Sequence, residues 1–401
     1  MKTALIFASH RLSAFAHPNA LRLVNIALIL RELGYDARLY GADPDLEAQG
    51  ELKGFRCEDW KLGRGRAARK NRFRNWKARI DAVLAQSPEP DLIISAVSET
   101  QSFRVGSYLA NYARRKRIPF AVSLVEWFSL KHFSGPGKHD YLRTSKYKNC
   151  VLHEFYMRFV APRRKNIIAI SSYLEKYYRA KGCETIVLPT LVDMDEYSEY
   201  AKTERAPRER VKIVYAGSPR RKDCILNAVE AIRNPKIRGR VELHFFGADE
   251  TELRNIGLSD GVKAELGETL VLHGRLPYGQ IKREVADADF TVLLRENKRN
   301  ANAGFSTKVG ESMACGTPVI ANITSDLAQC LTDGETGFVC RDESPQSCLD
   351  AIARAAEFVE RSNAAAMRSA CVKKAKEYFD YRVYVEPMRD FLDRIAVRGD
   401  S

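Results

Sequence analysis

A short segment after residue 300 holds the densest run of residues that could do chemistry. Its small-residue loop, Ala303-Gly304, would let the backbone approach a ligand closely. Ser306-Thr307-Lys308 stands where a helix should begin, and it supplies amides, hydroxyls and a cation for an anion. Glu311 follows Lys308 by one helical turn, so both side chains face the same side. A helix N-terminus for phosphates beside a carboxylate for hydroxyls is the chemistry that a nucleotide-sugar site needs.

Strands and helices alternate along the chain, which predicts an α/β fold with parallel sheets. One series of elements covers residues 1–196, and a second covers 211–377. The segment 197–210 is polar, charged and contains proline, which is typical of an interdomain linker. Residues 378–401 are predicted to form a helix that packs back on the N-terminal domain. Because open parallel sheets bind ligands beyond the carboxyl ends of their strands, we expect two Rossmann-like domains to face a central cleft.

Composition limits the class of protein. The chain has 401 residues, of which 45% are hydrophobic and 29% charged, as in a soluble globular protein of two domains. No apolar run approaches the roughly 20 residues of a membrane span, and the short run Ala4–Ala8 favours a buried strand over a secretory signal. Nine cysteines without a C-x-x-C pair indicate reduced thiols in a cytoplasmic protein and give no support to a zinc site.

The formal net charge of +14 is concentrated in three basic clusters of the N-terminal half, at 53–79, 114–117 and 163–165. Together they indicate an anionic partner, which could be a membrane surface, a phosphorylated acceptor or nucleic acid. Phe73 and Trp76 lie on one helical face within the first cluster. That helix is either interfacial and basic or the carrier of a buried apolar stripe, and the buried stripe is the favoured interpretation.

Five further segments carry the order and spacing of a known family. They are Ile167–Ser171, Leu188–Asp193, Val214–Asp223, Ala286–Arg295 and Asp333–Val339. With the segment around Glu311, they resemble the GT-B glycosyltransferases of family 4, also called group 1 transferases. The matches span about residues 167 to 339, while the N-terminal domain matches only in outline.

The resemblance implies a retaining hexosyltransferase that moves a sugar from a UDP- or GDP-sugar to a hydroxyl of a saccharide or lipid-linked acceptor. Attack would come from the front face, without a covalent intermediate, in the synthesis of capsule or lipopolysaccharide. Neither a covalently bound cofactor nor a metal is expected, and nucleic acid is an unlikely partner. The expected location is the cytoplasm, peripheral to the inner membrane face. A non-catalytic sugar-nucleotide binder, a nucleic-acid binder and a sugar epimerase remain alternatives.

A nucleotide-sugar site needs fixed cations and amides because charge grows on the leaving diphosphate. The loop after the first strand of the second domain offers Arg220, Arg221 and Lys222. The family places an arginine directly after the glycine, where this chain has Ser218, so Arg220 or Arg221 would substitute. The predicted donor-binding set is Gly217, Ser218, Arg220, Arg221, Lys222, Arg275, Arg295, Gly304, Phe305, Ser306, Thr307, Lys308 and Glu311.

The predicted catalytic set consists of Glu311, Lys222, Arg221 and Glu126. The resemblance makes Glu311 the ribose ligand. It also places a sugar-binding glutamate eight residues earlier, where this chain has Ala303. The N-terminal domain has Val125-Glu126 where the family often has His-Asp, so Glu126 would keep the acidic role. The nucleotide end of the site therefore follows the family, while the sugar end departs from it.

Overall fold

The computed structural model describes residues 2–9, 12, 18–41, 50–59, 72–86, 89–97, 103–128, 145–201, 208–219, 223–361 and 364–399. The chain divides into two compact units. Unit 1 comprises Met1–Pro189 and Tyr381–Ser401, and unit 2 comprises Thr190–Asp380. Each unit is built on its own sheet.

The sheet of unit 1 is mostly parallel. Its described strands are Lys2–Ala8 (β1), Tyr35–Gly41 (β2), Gly50–Leu52 (β3), Phe55–Asp59 (β4), Leu92–Ala96 (β5), Phe120–Leu124 (β6), Asn166–Ala169 (β7) and Glu184–Val187 (β8). They lie in the order β3-β4-β2-β1-β5-β6-β7-β8, and β3 alone of these strands runs antiparallel to its neighbour. The direction of strand addition reverses between β1 and β5, so the ligand site of this sheet is expected there.

The sheet of unit 2 is parallel throughout its described strands. They are Val211–Ala216 (β9), Val241–Phe246 (β10), Leu270–Leu272 (β11), Phe290–Leu293 (β12), Val319–Asn322 (β13) and Gly337–Cys340 (β14). Their order is β11-β10-β9-β12-β13-β14. The reversal here falls between β9 and β12, which predicts the ligand site at those two strands.

Helices connect the strands in both units. The described α-helices are Pro18–Glu32 (α1), Arg72–Gln86 (α2), Phe103–Lys116 (α3), Ser145–Phe155 (α4), Ser172–Arg179 (α5), Ile225–Ile232 (α6), Glu250–Ile256 (α7), Asp260–Leu266 (α8), Tyr278–Asp287 (α9), Arg299–Ala303 (α10), Thr307–Ala314 (α11), Pro345–Arg361 (α12), Ala365–Tyr378 (α13) and Val385–Gly399 (α14). A π-helical turn at Tyr156–Val160 and a 3₁₀ turn at Ala161–Arg164 continue α4, and further 3₁₀ turns occupy Met194–Tyr197, Gly267–Thr269, Leu327–Gln329 and Tyr381–Tyr384. Among the described helices, none is both long and apolar enough to cross a membrane.

The strands are buried on both faces, which explains why their sequences are continuous runs of apolar residues. All of Ala4–Ala8 in β1 is fully buried, as is Ile213 in β9. A parallel sheet is covered by helices on both faces, so alternation of polar and apolar residues is lost. The predicted fold class, α/β with two parallel-sheet domains, is confirmed.

The chain changes units at Pro189 and at Asp380, whereas the predicted boundaries lie near residues 196 and 378. The segment after Pro189 lies with unit 2 because the Val192 amide donates to the Phe379 carbonyl at 2.8 Å. Part of the predicted linker, 202–207, lies outside the described residues. The predicted helix at 378–401 is a 3₁₀ turn followed by α14, whose Arg394 donates to Glu184 in unit 1 at 3.2 Å.

The basic helix α2 carries a buried stripe. Trp76 is 7% exposed, and Ile80, Val83 and Leu84 are buried behind it. Of the two interpretations given above, the structure therefore supports the core helix at these positions.

Candidate functional site

A small pocket in unit 2 lies where the order of its strands reverses. Residues of β9 (Val214 and Ala216) and of β12 (Thr291, Val292 and Leu293) form its walls, with Val285 of α9. The other side is α11, which contributes Lys308, Val309 and Glu311. The strand order and the predicted donor segment thus indicate the same place.

Asp223 is the buried acid of this region. It is 5% exposed, and its Oδ1 accepts a hydrogen bond from Arg295 Nε at 3.2 Å. Its Oδ2 accepts from the Tyr215 hydroxyl at 3.3 Å and lies 4.0 Å from Lys308 Nζ. One carboxylate therefore fixes two cations that come from different elements. Since Arg295 is only 8% exposed, its first role is this ion pair, and contact with a donor stays a prediction.

Lys308 is the more accessible cation. Its side chain is 22% exposed, and its Nζ lies 4.8 Å from the centre of the Tyr215 ring. Gly217 has a φ of +130° and lies next to the end of the Lys308 side chain. The backbone angle favours glycine, and a β-carbon at Gly217 would lie 2.8 Å from Lys308 Cε, so the end of the lysine would have to move.

Helix α11 begins at Thr307 with Ser306 as its N-cap, and the Ser306 hydroxyl caps no amide of the helix. The first amides of any α-helix lack partners within the helix, and its dipole favours an anion there. The helix can lie close to Phe379 because Gly310 has no side chain, since a β-carbon there would be 3.2 Å from the ring. Lys308 is the second residue of α11, so its charge adds to that of the helix N-terminus, and the two together fit a phosphate.

Glu311 is held by a chain of two tyrosine hydroxyls. Tyr278 donates to Glu311 Oε1 at 2.9 Å, and the Tyr197 hydroxyl lies 3.2 Å from that of Tyr278. Because Tyr278 has one proton to give, Tyr197 donates to Tyr278. Burial raises the pKa of Glu311, while the Tyr278 hydrogen bond and the charges of Lys282 and Lys308 oppose that rise. Burial and the nearby Glu311 charge raise the pKa of both tyrosines, so both hydroxyls stay protonated donors.

Lys282 supports this chain from one side. Its Nζ lies 4.3 Å from the Tyr197 ring centre and 4.9 Å from that of Tyr278, within the range of cation–π attraction. It also pairs with Glu196 at 3.6 Å. Tyr197, Tyr278 and Lys282 were not predicted from the sequence, because they belong to two segments distant from the recognised motif.

The loop that precedes α11 has few side chains left for a sugar. Asn302 Nδ2 donates to Asn297 Oδ1 at 2.7 Å, and Asn302 Oδ1 accepts from the Ser325 amide at 2.8 Å. Ala303 is fully buried, and the Phe305 ring packs 5.8 Å from that of Phe379. What this loop offers a ligand is its backbone, including Gly304.

Other predicted donor residues lie in varied settings. The Arg275 side chain is 65% exposed and pairs with Glu252 at 2.6 Å. Ser218 follows Gly217 at the carboxyl end of β9. Arg220, Arg221 and Lys222 lie outside the described residues. Their predicted contacts with the diphosphate therefore stay predictions.

The acidic pair Asp287 and Asp289 has structural partners. Asp287 accepts from Arg208 Nη2 at 2.6 Å and from Lys212 Nζ at 2.9 Å. Asp289 accepts the Lys212 amide at 2.8 Å. Within the described parts of the chain, no group of three metal-ligating side chains is found.

Unit 1 has its own pocket where its strand order reverses. Its lining includes Ser9, Asn19, Arg22, Ser123, Val125, Glu126, Phe128 and His153. Glu126, predicted as an acidic residue of the site, is thus brought to the pocket of unit 1.

Arg22 is the unpredicted residue of that pocket. It is 4% exposed, and its Nη1 donates to the carbonyls of Leu188 and Pro189 at 2.6 and 2.9 Å. Its Nη2 is buried and has no hydrogen-bond partner among the described residues. Burial lowers the pKa of this guanidinium to about 9. The signal in the sequence is an arginine between Leu21 and Leu23, where an apolar residue would suit the buried face of α1.

Two α/β units, each with a pocket at its strand reversal, are the architecture of the GT-B fold. Comparison with known proteins agrees. Residues 210–357 match the family model described as glycosyl transferases group 1. The predicted resemblance to that family is confirmed.

A curated relative is similar to part of the chain. It is a D-inositol 3-phosphate glycosyltransferase of Nocardiopsis dassonvillei, 26% identical over 187 residues. The match covers 43% of this chain and 42% of that protein, so the chain spans about two fifths of the length of the relative it matches.

Solved structures show the fold. A sucrose-phosphate synthase from Thermosynechococcus elongatus superimposes with a TM-score of 0.72 at 17% identity, covering 99% of this chain and 100% of that one. The Anabaena protein HepE, solved in complex with UDP-glucose, gives 0.66 at 14% identity, with 98% and 99% covered. The predicted GT-B fold is confirmed.

Proposed function

We propose that the chain is a glycosyltransferase that binds a UDP- or GDP-sugar in unit 2 and transfers the sugar to a hydroxyl with retention of configuration. The observation that carries this proposal is that Lys308 and Glu311, both near the N-terminus of α11, line one pocket. A cation and a helix N-terminus suit a diphosphate, and a fixed carboxylate suits the two hydroxyls of a ribose. The glycosyltransferase relative and the UDP-glucose complex of HepE support the donor class.

The chain's own residues would stabilise the leaving group. As the glycosidic bond breaks, negative charge grows on the diphosphate, and preorganised donors lower the barrier most where that charge develops. Lys308 is preorganised by Asp223, and Glu311 by Tyr278. These cations and amides would stabilise the charge on the leaving diphosphate without a metal.

The acceptor is proposed to be a saccharide or lipid-linked hydroxyl compound that binds in the pocket of unit 1. Glu126, Ser9 and Asn19 offer hydrogen bonds to hydroxyls, while Arg22 Nη2 offers a donor to an acidic oxygen. The inositol phosphate in the relative's name is an acceptor of that kind. A cytoplasmic location and a role in cell-surface polysaccharide synthesis are proposed with it, and the nine cysteine thiols agree with a reducing compartment.

A non-catalytic nucleotide-sugar binder is the second candidate. Ala303 favours it, because this buried position has no carboxylate for the sugar. Turnover decides between the two.

The test is release of nucleoside diphosphate from a panel of UDP- and GDP-sugars, with and without chelator, and with saccharide and sugar-phosphate acceptors. Wild type is compared with Glu311→Ala and Lys308→Ala, and with Glu335→Ala as an exposed control in the same unit. We expect turnover that falls at least tenfold in the first two variants only. Binding without turnover would favour the second candidate, and donor isomerisation without transfer would indicate an epimerase. The anomeric configuration of the product, read by NMR, tests retention.

A further inference from the structure

The outward face of one segment in unit 1 is apolar. Helix α4 and the π-helical turn after it expose Leu152, Phe155 and Phe159 to about 50%, and Val151 to 39%. Their spacing of three to four residues places them along one side of the helix. The Phe155 and Phe159 rings lie 5.3 Å apart, so the apolar surface is continuous. We call Val151, Leu152, Phe155 and Phe159 the α4 face.

The α4 face is separate from the side of the segment that packs into the core of unit 1. The opposite side of the same segment is already buried through Cys150, Tyr156, Met157 and Val160. The Tyr178 hydroxyl donates to the Met157 carbonyl at 2.9 Å, which fixes the segment against α5. A helix on the surface of a domain normally turns polar residues outward. Contiguous exposed apolar side chains there indicate a binding surface.

The exposed charged side chains in the segment that carries the α4 face are of one sign. From residue 149 to 165, every exposed charged side chain is a cation: Arg158, Arg163 and Lys165. The acid in this stretch, Glu154, accepts a hydrogen bond from Trp127 Nε1 at 2.8 Å and pairs with Arg158 at 2.6 Å. Arg163 and Lys165 are therefore the exposed cations of the stretch that lie outside this ion pair. Arg163 is held beside Phe159, whose carbonyl accepts its Nη1 at 2.7 Å.

We propose that the α4 face docks the chain on the surface of an anionic bilayer. Aromatic and aliphatic side chains enter the boundary between headgroups and acyl chains, while the neighbouring guanidinium groups meet lipid phosphates. A second copy of the chain is a poor occupant. A symmetric interface uses the same surface of both copies, so it would bring two patches of like charge together. The docking surface is also distinct from α2, whose Trp76 is buried.

The experiment measures binding of the whole chain to vesicles of phosphatidylcholine alone and of phosphatidylcholine mixed with phosphatidylglycerol. We expect binding to the anionic vesicles that weakens as salt increases. The double variant F155S/F159S should reduce that binding about tenfold or more, and Arg163→Gln about fivefold. Val383→Ser is the matched control, because Val383 is 44% exposed in unit 1 but lies on a separate segment. It should bind like wild type.

Several results would overturn the proposal. They are absence of wild-type binding to anionic vesicles, equal binding by F155S/F159S, and an equal loss in Val383→Ser. A dimer in light scattering that F155S/F159S dissociates would assign the face to a second copy instead. Melting temperatures of the variants verify folding, which should persist because the changed side chains are exposed. No nucleotide enters this assay, so its failure is separate from failure of the proposed transferase activity.

Discussion

Replacing Tyr278 with phenylalanine is the change that best isolates the positioning of Glu311. The substitution removes one hydroxyl, which donates to Glu311 Oε1 at 2.9 Å and accepts from Tyr197. The ring remains, and with it the contact to Lys282 at 4.9 Å. The variant therefore deletes two hydrogen bonds and little packing.

The magnitude follows from these two bonds. A hydrogen bond to a carboxylate contributes about 1.5–3 kcal/mol, and a buried hydroxyl left without an acceptor costs about 1–3 kcal/mol. Because Tyr278 is half-buried, the loss should fall in the lower part of the sum of these ranges, roughly 2.5–4 kcal/mol of unfolding free energy. In the variant, the Glu311 side chain is no longer held in place, so nucleotide binding has to immobilise it. That costs about 0.5–1.5 kcal/mol of binding free energy and weakens nucleotide affinity roughly two- to tenfold.

The assay is calorimetric titration of UDP and GDP, with thermal unfolding of the same samples. Tyr197→Phe is the matched control, because it removes the outer hydroxyl and leaves the bond between Tyr278 and Glu311 intact. It should lower stability by about 1 kcal/mol and leave nucleotide affinity unchanged. Unchanged affinity in Tyr278→Phe, or an equal loss in Tyr197→Phe, would refute the positioning role.

Three further predictions concern unit 2. Gly217→Ala should destabilise the chain by about 1–3 kcal/mol and weaken nucleotide binding, whereas Gly239→Ala, with a φ of +88° and nothing within 4 Å, should show the strain without the binding loss. Equal binding by both variants would show that Gly217 does not place Lys308. Since burial raises the pKa of Glu311, the folded state binds its proton more tightly and loses stability as pH rises above the usual 4.5. Glu311→Gln should therefore have a higher melting temperature than wild type at pH 7, and the difference between the two melting temperatures should shrink as the pH is lowered. A lower melting temperature of the variant at pH 7 would contradict this prediction. Burial lowers the pKa of His244, so stability should fall as pH drops through 6.5, and a pH-titrated melting series should be shallower in His244→Phe.

The fold class could be predicted from the sequence because buried parallel strands appear there as runs of apolar residues. β10 has the bounds that its valine, leucine and phenylalanine residues indicate, Val241–Phe246. The short strands β3 and β4 were not predicted, since Gly50–Leu52 and Phe55–Asp59 are brief and mixed in polarity. The chain changes units at Pro189, before the predicted boundary near residue 196, and the hydrogen bond of the Val192 amide that ties the next segment to unit 2 is invisible in local composition.

The donor segment could be recognised because its residues are contiguous. Lys308 and Glu311 lie one helical turn apart, so the sequence alone places them on one face. Their partners Asp223, Tyr278 and Tyr197 come from other segments and are brought in by the fold. Such partners leave no local pattern in the sequence. The same is true of the α4 face, because the sequence does not show which apolar side chains of that helix are buried and which are exposed.

The most direct test of the central claim is calorimetric titration of UDP and GDP into wild type and Glu311→Ala. The proposed donor site predicts that at least one nucleotide binds wild type with one site per chain, and that Glu311→Ala weakens that binding at least tenfold. Absence of binding by wild type, or equal affinity in the variant, would contradict the assignment of this pocket as the donor site.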